Sequence, residues 1–290
     1  MRRAIIVVMA CGLGCGAPQP EPARVDPPVI EEVPEPAPHE PTPPPRFDIP
    51  RPVPPAPPRR VSFPLAGTVL AHGGGPLRAD VIQRFCRVCG PSGRLVLIPT
   101  AAEGADSPAT LEKLPKRWLD RVGRVDVLHT LDPERANEPE FLAPLRDADC
   151  VWFGGGAQGR LRDAYVDTDV KEALHAVLLR GGIVGGYSAG AAILSDVIIR
   201  RGNPDPVEDV GFGVLPGVIV DQHFLAKERE PRLLTMLSRH PERIGYGIDE
   251  DTAILVHGST YEVIGNSVVR RCEHAKGCKS LEAGAKGSFP

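Results

Sequence analysis

The sequence has few aromatic residues and no excess of positive charge. Phe, Trp and Tyr make up 5% of the 290 residues, and the formal net charge at pH 7 is −3. The few clusters of Lys and Arg contain no interleaved aromatic residues, whereas nucleic-acid-binding domains combine a basic surface with recognisable binding motifs. These absences exclude nucleic acid as a partner.

The apolar run at the N-terminus is too short to span a membrane. Met1-Arg2-Arg3 precedes seven apolar residues, which is typical of a secretory signal. Cys11 and Cys15 each resemble the cysteine of a bacterial lipobox, which becomes acylated after cleavage. Cys11 has the better apolar residue three positions before it, whereas Cys15 leaves a longer apolar run; a cleaved signal without lipid is the alternative. We predict an exported protein with a membrane lipid anchor and residues 1–15 as the signal segment.

Glycine is absent between residues 17 and 60, where 18 of the 33 prolines lie. Such a segment cannot bury enough apolar surface to fold. We therefore predict that residues 16–62 form a disordered tether, which at about 3 Å per residue extends on the order of 100 Å. A catalytic domain over residues 63–273 and a polar tail over residues 274–290 follow.

The cysteines of the folded part favour disulfides over a metal site. Cys86 and Cys89 lie on a predicted helix, and Cys272 and Cys278 flank a short polar stretch, so disulfides fit an oxidising compartment. Zinc is the alternative, but the second pair has the wrong spacing and no nearby His/Cys set completes a tetrahedral site. We predict no metal and no cofactor. Cys150, in an apolar strand, is predicted to be a buried core residue.

Short apolar runs alternate with amphipathic stretches along the folded part. Continuous runs of this length are typical of strands buried on both faces. Their alternation with helices predicts an α/β fold with a mostly parallel sheet and helices on both faces. The predicted strands cover residues 67–71, 95–99, 125–128, 150–153, 183–185 and 217–220, and the predicted helices cover residues 79–88, 109–122, 170–179 and 232–239.

The C-terminal part is β-rich. Three runs over residues 252–256, 261–264 and 268–272 are separated by Gly258 and by Gly265-Asn266, which favour tight turns. They predict an antiparallel meander at the edge of the sheet.

The main chemical motif is Gly186-Tyr187-Ser188-Ala189-Gly190, a Gly-x-Ser-x-Gly between an apolar strand and a helix. In this context it predicts a nucleophile elbow, in which small neighbours tolerate a strained serine. The turn also places Ser188 at a helix N-terminus, whose N–H groups stabilise negative charge. The pentapeptide alone also fits an ordinary turn. The flanking strand and helix favour Ser188 as a nucleophile.

A serine nucleophile needs a base, usually a histidine. His223 follows the predicted strand at residues 217–220 and is the best-placed candidate. The weaker alternatives are His240 at a helix end, His257 on an edge strand and His274 in the polar tail.

A carboxylate is needed to orient the histidine. Glu250 follows another apolar segment and can orient His223. Asp249 or Asp251 in that role is one alternative, and a solvated turn formed by all three acids is another. The order serine, histidine, acid differs from the order serine, acid, histidine of α/β-hydrolases. The common esterase and lipase fold is therefore excluded.

Two glycine runs follow predicted strands. Gly154-Gly155-Gly156 can approach a substrate closely and supply a backbone donor to an oxyanion, with a plain tight turn as the alternative. His72-Gly73-Gly74-Gly75 lacks the Gly-x-x-x-x-Gly-Lys-Ser/Thr of a phosphate-binding loop. We predict that it is a turn at the rim of the site.

Several segments together resemble cyanophycinase and its relative aspartyl dipeptidase (peptidase E), over residues 65–265. These are Ile98-Pro99-Thr100-Ala101, Phe153-Gly154-Gly155-Gly156-Ala157-Gln158, Gly186-Tyr187-Ser188-Ala189-Gly190-Ala191, and Asp221-Gln222-His223-Phe224 with Gly247-Ile248-Asp249-Glu250-Asp251-Thr252-Ala253.

The resemblance implies a class I glutamine amidotransferase-like fold and a metal-independent serine peptidase. It places the nucleophile on Ser188, the base on His223 and the carboxylate on Glu250. It also implies that the backbone N–H groups of Gly156 and Ala189 form the oxyanion hole.

The same resemblance implies a substrate. Cyanophycinase cleaves a polymer with an aspartate backbone that bears β-linked arginines, and it releases β-aspartyl-arginine. Ala157 stands where this family usually has Asp, and Lys227 stands where Arg is expected, which loses the bidentate fork. The residues implied to bind substrate are Gln158, Asp221, Gln222, Lys227, Arg229 and Arg232.

The leading hypothesis is a peptidase that cleaves aspartyl or β-aspartyl-arginine bonds of a peptide or polyamide substrate. A non-catalytic lipoprotein that binds an acidic peptide or polymer in the same pocket is the first alternative, and an esterase-like hydrolase is the second. The sequence leaves the oligomeric state open, with a homodimer as one candidate.

Overall fold

A mixed β-sheet forms the centre of the protein. The computed structural model describes residues 5–6 and 66–290. Its strands are β1 (Ile5–Ile6), β2 (Thr68–His72), β3 (Arg94–Ile98), β4 (Arg124–Val127), β5 (Cys150–Phe153), β6 (Ile183–Tyr187), β7 (Val197–Arg201), β8 (Val207–Val210), β9 (Val218–Gln222), β10 (Ile244–Ile248), β11 (Thr252–His257), β12 (Thr260–Gly265), β13 (Val268–Glu273), β14 (Gly277–Glu282) and β15 (Lys286–Ser288).

The main sheet has the strand order β1-β4-β3-β5-β6-β2-β11-β12-β15. Its strands from β1 to β2 are parallel, and β11, β12 and β15 add an antiparallel edge. The α/β prediction with a mostly parallel sheet is confirmed, as are the additional antiparallel strands near the C-terminus. The C-terminal residues predicted to be a polar tail contain two strands: β14 pairs with β13, and β15 pairs with β12.

Helices cover both faces of the main sheet because its central strands are apolar on both faces. They are α1 (Ala79–Cys89), α2 (Pro108–Leu111), α3 (Pro133–Ala136), α4 (Pro139–Arg146), α5 (Gln158–Leu161), α6 (Val170–Leu179), α7 (Ala189–Ala192) and α8 (Glu230–Arg239). None of the helices in the described part of the chain is long and apolar enough to cross a membrane.

Most of the predicted N-terminal segments lie outside the described residues. These are the lipidation candidates Cys11 and Cys15 and the proline-rich tether as far as residue 62. The short strand β1 falls within the predicted signal segment and pairs with β4. Cleavage of that segment would remove β1 and leave β4 at the edge of the sheet.

A second sheet corrects the predicted strand arrangement. Its order is β14-β13-β10-β9, with β9 and β10 parallel and β13 antiparallel to β10. The predicted strands at residues 217–220 and 268–272 therefore do not belong to the main sheet. An apolar run in the sequence indicates that a strand is buried. It does not indicate which strand pairs with it, because that depends on contacts between residues distant in sequence. The pairing of β9 with β10 brings the chain just after each strand to the same edge.

The helix predicted over residues 109–122 is wrong. The chain there forms only α2 and a 3-10 turn at Leu114–Arg117. Pro115 lacks the N–H that a continuous helix needs, and its ring clashes with the preceding turn. The break lets Trp118 enter the core, where its ring lies 5.7 Å from that of Phe85 and 5.3 Å from that of Trp152.

Two disulfides tie elements of the domain together. One joins Cys89 at the end of α1 to Cys150 in β5, and the other joins Cys272 in β13 to Cys278 in β14. Cys150 is buried as predicted, but it is bonded rather than a simple core residue. Cys86 is buried with a free thiol. Because three of the four cysteines considered for zinc are in disulfides, they do not form that site.

Candidate active site

Ser188 lies in a sharp turn between β6 and α7. Its φ of 53° and ψ of −113° fall in a region that residues other than glycine rarely adopt. The turn is held because the Ser188 N–H donates to the carbonyl oxygen of His72 at 2.9 Å. A Cβ at Gly186 would lie 2.0 Å from the carbonyl oxygen of Gly190, so the turn closes only with glycine there. The local structure is a strained strand–turn–helix that holds the largely buried Ser188 at the carboxyl end of the central strand β6.

Ser188, His223 and Glu250 form a continuous chain of hydrogen bonds. The Ser188 Oγ lies 2.8 Å from His223 Nε2, and His223 Nδ1 lies 2.6 Å from Glu250 Oε1. If Nδ1 carries its proton toward the carboxylate, Nε2 is left with a lone pair that accepts the serine hydroxyl proton. This geometry allows Ser188 to become a nucleophile.

Asp249, one of the two alternative acids, holds the loop after His223. Its Oδ1 accepts hydrogen bonds from the N–H groups of Leu225 and Ala226 at 2.9 and 3.1 Å. Its Oδ2 accepts from Ser267 Oγ at 2.8 Å. The Asp249 carboxylate is therefore committed to fixing a backbone segment.

Asp251, the other alternative, stabilises the turn before β11. Its Oδ2 accepts a hydrogen bond from Asn266 Nδ2 at 3.0 Å. Its backbone N–H donates to the carbonyl oxygen of Gly74 at 2.9 Å. Of the three adjacent acids, the structure places only Glu250 in hydrogen-bond contact with His223.

The His72-Gly73-Gly74-Gly75 segment lies directly against the histidine and glutamate. The His223 N–H donates to the Gly73 carbonyl oxygen at 2.6 Å. A Cβ at Gly74 would lie 2.2 Å from His223 Cε1, and a Cβ at Gly75 would lie 2.8 Å from the Cβ of Glu250. The predicted rim turn is instead the surface on which the two side chains rest, and only long-range packing reveals this.

His72 is fully buried beside this surface. Its Nδ1 accepts the N–H of Gly74 at 3.0 Å, and its ring stacks on that of Tyr187 with centroids 5.3 Å apart. Burial lowers the pKa of His72 to about 4, although the nearby charge of Asp251 opposes this shift. The ring is neutral near pH 7. Protonation would put a hydrogen on Nδ1 and break the hydrogen bond to Gly74.

This shift predicts a pH dependence of stability. The unfolded histidine has a pKa of about 6.5, so between pH 6.5 and pH 4 the unfolded chain binds the extra proton and the folded chain does not. The free energy of unfolding should fall as the pH falls through that window, by about 3 kcal/mol from His72 alone.

The measurement is urea unfolding of the native protein and of His72→Gln at several pH values between 7 and 4. Glutamine keeps an acceptor but does not titrate, so the variant should lose less stability across the window. Equal losses in the two proteins would contradict a buried neutral His72.

The triple-glycine loop after β5 lies beside the nucleophile. A Cβ at Gly155 would lie 3.3 Å from the Cβ of Ser188. Gly156 has a φ of 142°, and a Cβ there would lie 2.1 Å from the carbonyl oxygen of Ala101, so only glycine fits. Ala189 is the first residue of α7, where a backbone N–H has no partner within the helix. The two backbone donors implied by the resemblance thus belong to elements that meet at Ser188.

Asp221 and Arg232, both predicted to bind substrate, are buried against each other. Arg232 Nε lies 2.7 Å from Asp221 Oδ2, and Arg232 Nη2 makes a second contact with Oδ1. Arg232 Nη1 also donates to the carbonyl oxygen of Gly202 at 2.8 Å. This ion pair fastens α8 to β9 and leaves little of either side chain for a ligand.

The other predicted substrate-binding residues divide between a cluster and the surface. Gln158 Nε2 donates to the carbonyl oxygen of Ile199 at 2.5 Å, and Gln222 Nε2 lies 3.4 Å from Gln158 Oε1. Arg229 Nη1 donates to the backbone carbonyl of Gln222 at 2.6 Å. Gln222 Oε1 and Arg229 Nε are buried without a hydrogen-bond partner among the described residues. Lys227 is exposed on the loop.

Comparisons with known proteins identify the family. The model of peptidase family S51 matches residues 69–264. The chain is 33% identical over 216 residues to a cyanophycinase from Synechococcus elongatus, which covers 70% of this chain and 67% of that protein. It is 31% identical over 220 residues to a cyanophycinase from Geminocystis herdmanii, with 71% and 80% covered.

A solved structure supports the same assignment. The crystal structure of a peptidase from an acI-B1 Actinobacterium has a TM-score of 0.64 and 27% identity, and the match covers 77% of this chain and 97% of that one. The resemblance stated from the sequence motifs is confirmed. The chain belongs to peptidase family S51 and is a serine peptidase.

Proposed function

We propose that this peptidase hydrolyses aspartyl or β-aspartyl bonds, including those of cyanophycin-like polymers, with Ser188, His223 and Glu250 as its catalytic triad. The observation that carries the proposal is the unbroken hydrogen-bond chain from the Ser188 hydroxyl through His223 to Glu250. The relatives named cyanophycinase support the substrate class.

In the first half of the reaction, Ser188 Oγ attacks the carbonyl carbon of the scissile bond while its proton moves to His223 Nε2. Glu250 stabilises the resulting imidazolium. The tetrahedral intermediate carries its negative charge on the former carbonyl oxygen, where the N–H groups of Gly156 and Ala189 stabilise it. The C–N bond then breaks as His223 gives the proton to the leaving amine.

Water completes the cycle. A water molecule gives a proton to His223 and attacks the acyl-enzyme carbon. The ester bond to Ser188 Oγ breaks, and the proton returns from His223 to the serine. The products are the acid and the amine of one hydrolysed amide, so no cofactor takes part in the proposed cycle.

The cluster around Gln222 and Arg229 supports recognition of a polar acyl-side residue. Gln222 Oε1 can accept a hydrogen bond from a substrate ammonium or amide, and Arg229 Nε can donate to a carboxylate. Since buried polar atoms are normally paired, two unpartnered ones in neighbouring residues favour a ligand that pairs them.

The test uses the purified full-length protein with three substrates: cyanophycin, an α-aspartyl dipeptide and a simple ester. Release of β-aspartyl-arginine or of free aspartate supports the proposal. If the protein hydrolyses the ester but neither cyanophycin nor the dipeptide, the proposal is overturned in favour of an esterase-like activity.

We further propose that the enzyme is exported and anchored through an acylated Cys11 or Cys15. The two disulfides of the described domain support an oxidising compartment. Cells that express the native protein should incorporate labelled palmitate into it, and either Cys11→Ala or Cys15→Ala should abolish this labelling. If the native protein is not labelled, the proposed anchor is wrong.

A further inference from the structure

A cleft of about 600 Å³ opens next to the turn that carries Ser188. Its wall includes the ring of Tyr187, which immediately precedes Ser188, and Gly154, which begins the triple-glycine loop. The indoles of Trp118 and Trp152 form an apolar lining. A group held there contacts the residue that immediately precedes Ser188.

This cleft lies on the opposite face of the main sheet from the Gln158–Gln222 cluster. Trp118, Trp152 and Tyr187 belong to the hydrophobic core on one face. Leu161, from the helix α5 that begins at Gln158, belongs to the core on the other face together with Phe153 and Ala189. Ser188 therefore lies between this cleft and the Gln158–Gln222 cluster, which gives the substrate residue on each side of the scissile bond a separate place to bind.

The rim of the cleft carries positive charge. Lys113 and Arg117 are exposed and line the cleft from the irregular segment that replaces the predicted helix. Arg117 is close enough to interact electrostatically with the Tyr187 hydroxyl. Neither cation takes part in an ion pair within the part of the chain that the structure describes, so both are available to an anion.

We infer that this cleft binds the leaving-group residue of the substrate, with an apolar side chain against the indoles and a free carboxylate on Arg117 and Lys113. The inference rests on the proposed function, because it selects among aspartyl substrates. Apolar lining and a cationic rim together match a residue with an uncharged side chain and a terminal carboxylate. A lysine or arginine side chain would instead meet like charge, so among the proposed substrates the inference favours aspartyl dipeptides with an apolar second residue over cyanophycin, whose residues bear arginine.

The first test compares Asp-Leu with its C-terminal amide, Asp-Leu-NH₂, as substrates. In Arg117→Gln the KM for Asp-Leu should rise about tenfold, as expected for loss of one charge-assisted hydrogen bond, and the KM for the amide should stay unchanged. The matched control is Lys116→Gln, which removes an exposed charge from the same turn but not from the cleft. An equal rise for acid and amide, or an unchanged KM for Asp-Leu, would overturn the inference.

The second test does not depend on turnover. Calorimetry on Ser188→Ala, alone and combined with Arg117→Gln, measures the affinity for N-acetyl-leucine and for N-acetyl-leucinamide. If the acid binds more tightly than the amide and Arg117→Gln removes this difference, the cleft binds a carboxylate as inferred. That result would stand even if no aspartyl peptide is hydrolysed and the proposed function fails. Equal binding of acid and amide would overturn the inferred role of the cleft even if the proposed function holds.

Discussion

Ser188→Ala should lower kcat by at least about 10⁴-fold, as in other serine peptidases that lose the nucleophile. The loss follows because the proposed acyl-enzyme bond forms on Ser188 Oγ and because no other hydroxyl of the described residues hydrogen-bonds to His223 Nε2. The measurement is hydrolysis of an aspartyl peptide under saturating substrate.

The control is Ser238→Ala. Ser238 is exposed on α8, and its hydroxyl donates only to the nearby carbonyl of Thr235, so activity should change less than twofold. The two variants should also unfold at similar urea concentrations, since alanine at Ser188 adopts the same φ without adding bulk. If Ser188→Ala kept more than about 1% of native turnover, Ser188 would not be the nucleophile.

The elbow was predictable because its determinants are local. An apolar strand, a Gly-x-Ser-x-Gly and a short helix follow one another within about a dozen residues, and each part constrains the next. The choice among Asp249, Glu250 and Asp251 was not predictable in this way. It depends on the loop after His223, whose N–H groups donate hydrogen bonds to Asp249, and on Asn266, which donates a hydrogen bond to Asp251.

Errors in the predicted fold have the same origin in long-range contacts. The apolar spacing of residues 109–122 fits a helix, but Pro115 breaks it and Trp118 gains more by packing between Phe85 and Trp152. Cys89 and Cys150 are separated by 61 positions, and only the pairing of β5 with its neighbours brings them together. Such contacts leave no periodic signal in the sequence.

The active site spans two sheets. Ser188 follows β6 of the main sheet, whereas His223 and Glu250 follow β9 and β10 of the second sheet. Their alignment depends on a backbone hydrogen bond that crosses between the sheets, in which the Gly73 carbonyl accepts the His223 N–H. The Gly74 carbonyl accepts the Asp251 N–H in continuation of the β2–β11 pairing, which fixes the chain just after Glu250. The glycine run after β2 is therefore where the two sheets set the distance between Ser188 and His223.

Gly74→Ala should lower kcat/KM by about 10²-fold or more, which is the scale expected when a catalytic group moves by about 1 Å. The added Cβ would lie 2.2 Å from His223 Cε1 and 2.4 Å from Nε2, so the imidazole must move off the Ser188 hydroxyl. Because the atoms that must move are at the end of a side chain, the fold should survive. The measurements are kcat/KM on an aspartyl peptide and the urea midpoint.

Gly90→Ala is the matched control. Gly90 also has a positive φ, 84° against 111° at Gly74, but a Cβ there meets nothing within 4 Å. Both variants share the backbone strain of alanine at a conformation that favours glycine, which costs on the order of 1–3 kcal/mol of stability. Only Gly74→Ala displaces the base, so the two should be similarly stable and differ in activity by about 10²-fold. Equal activities would mean that His223 adapts without leaving Ser188, and the glycine run would then matter for the backbone alone.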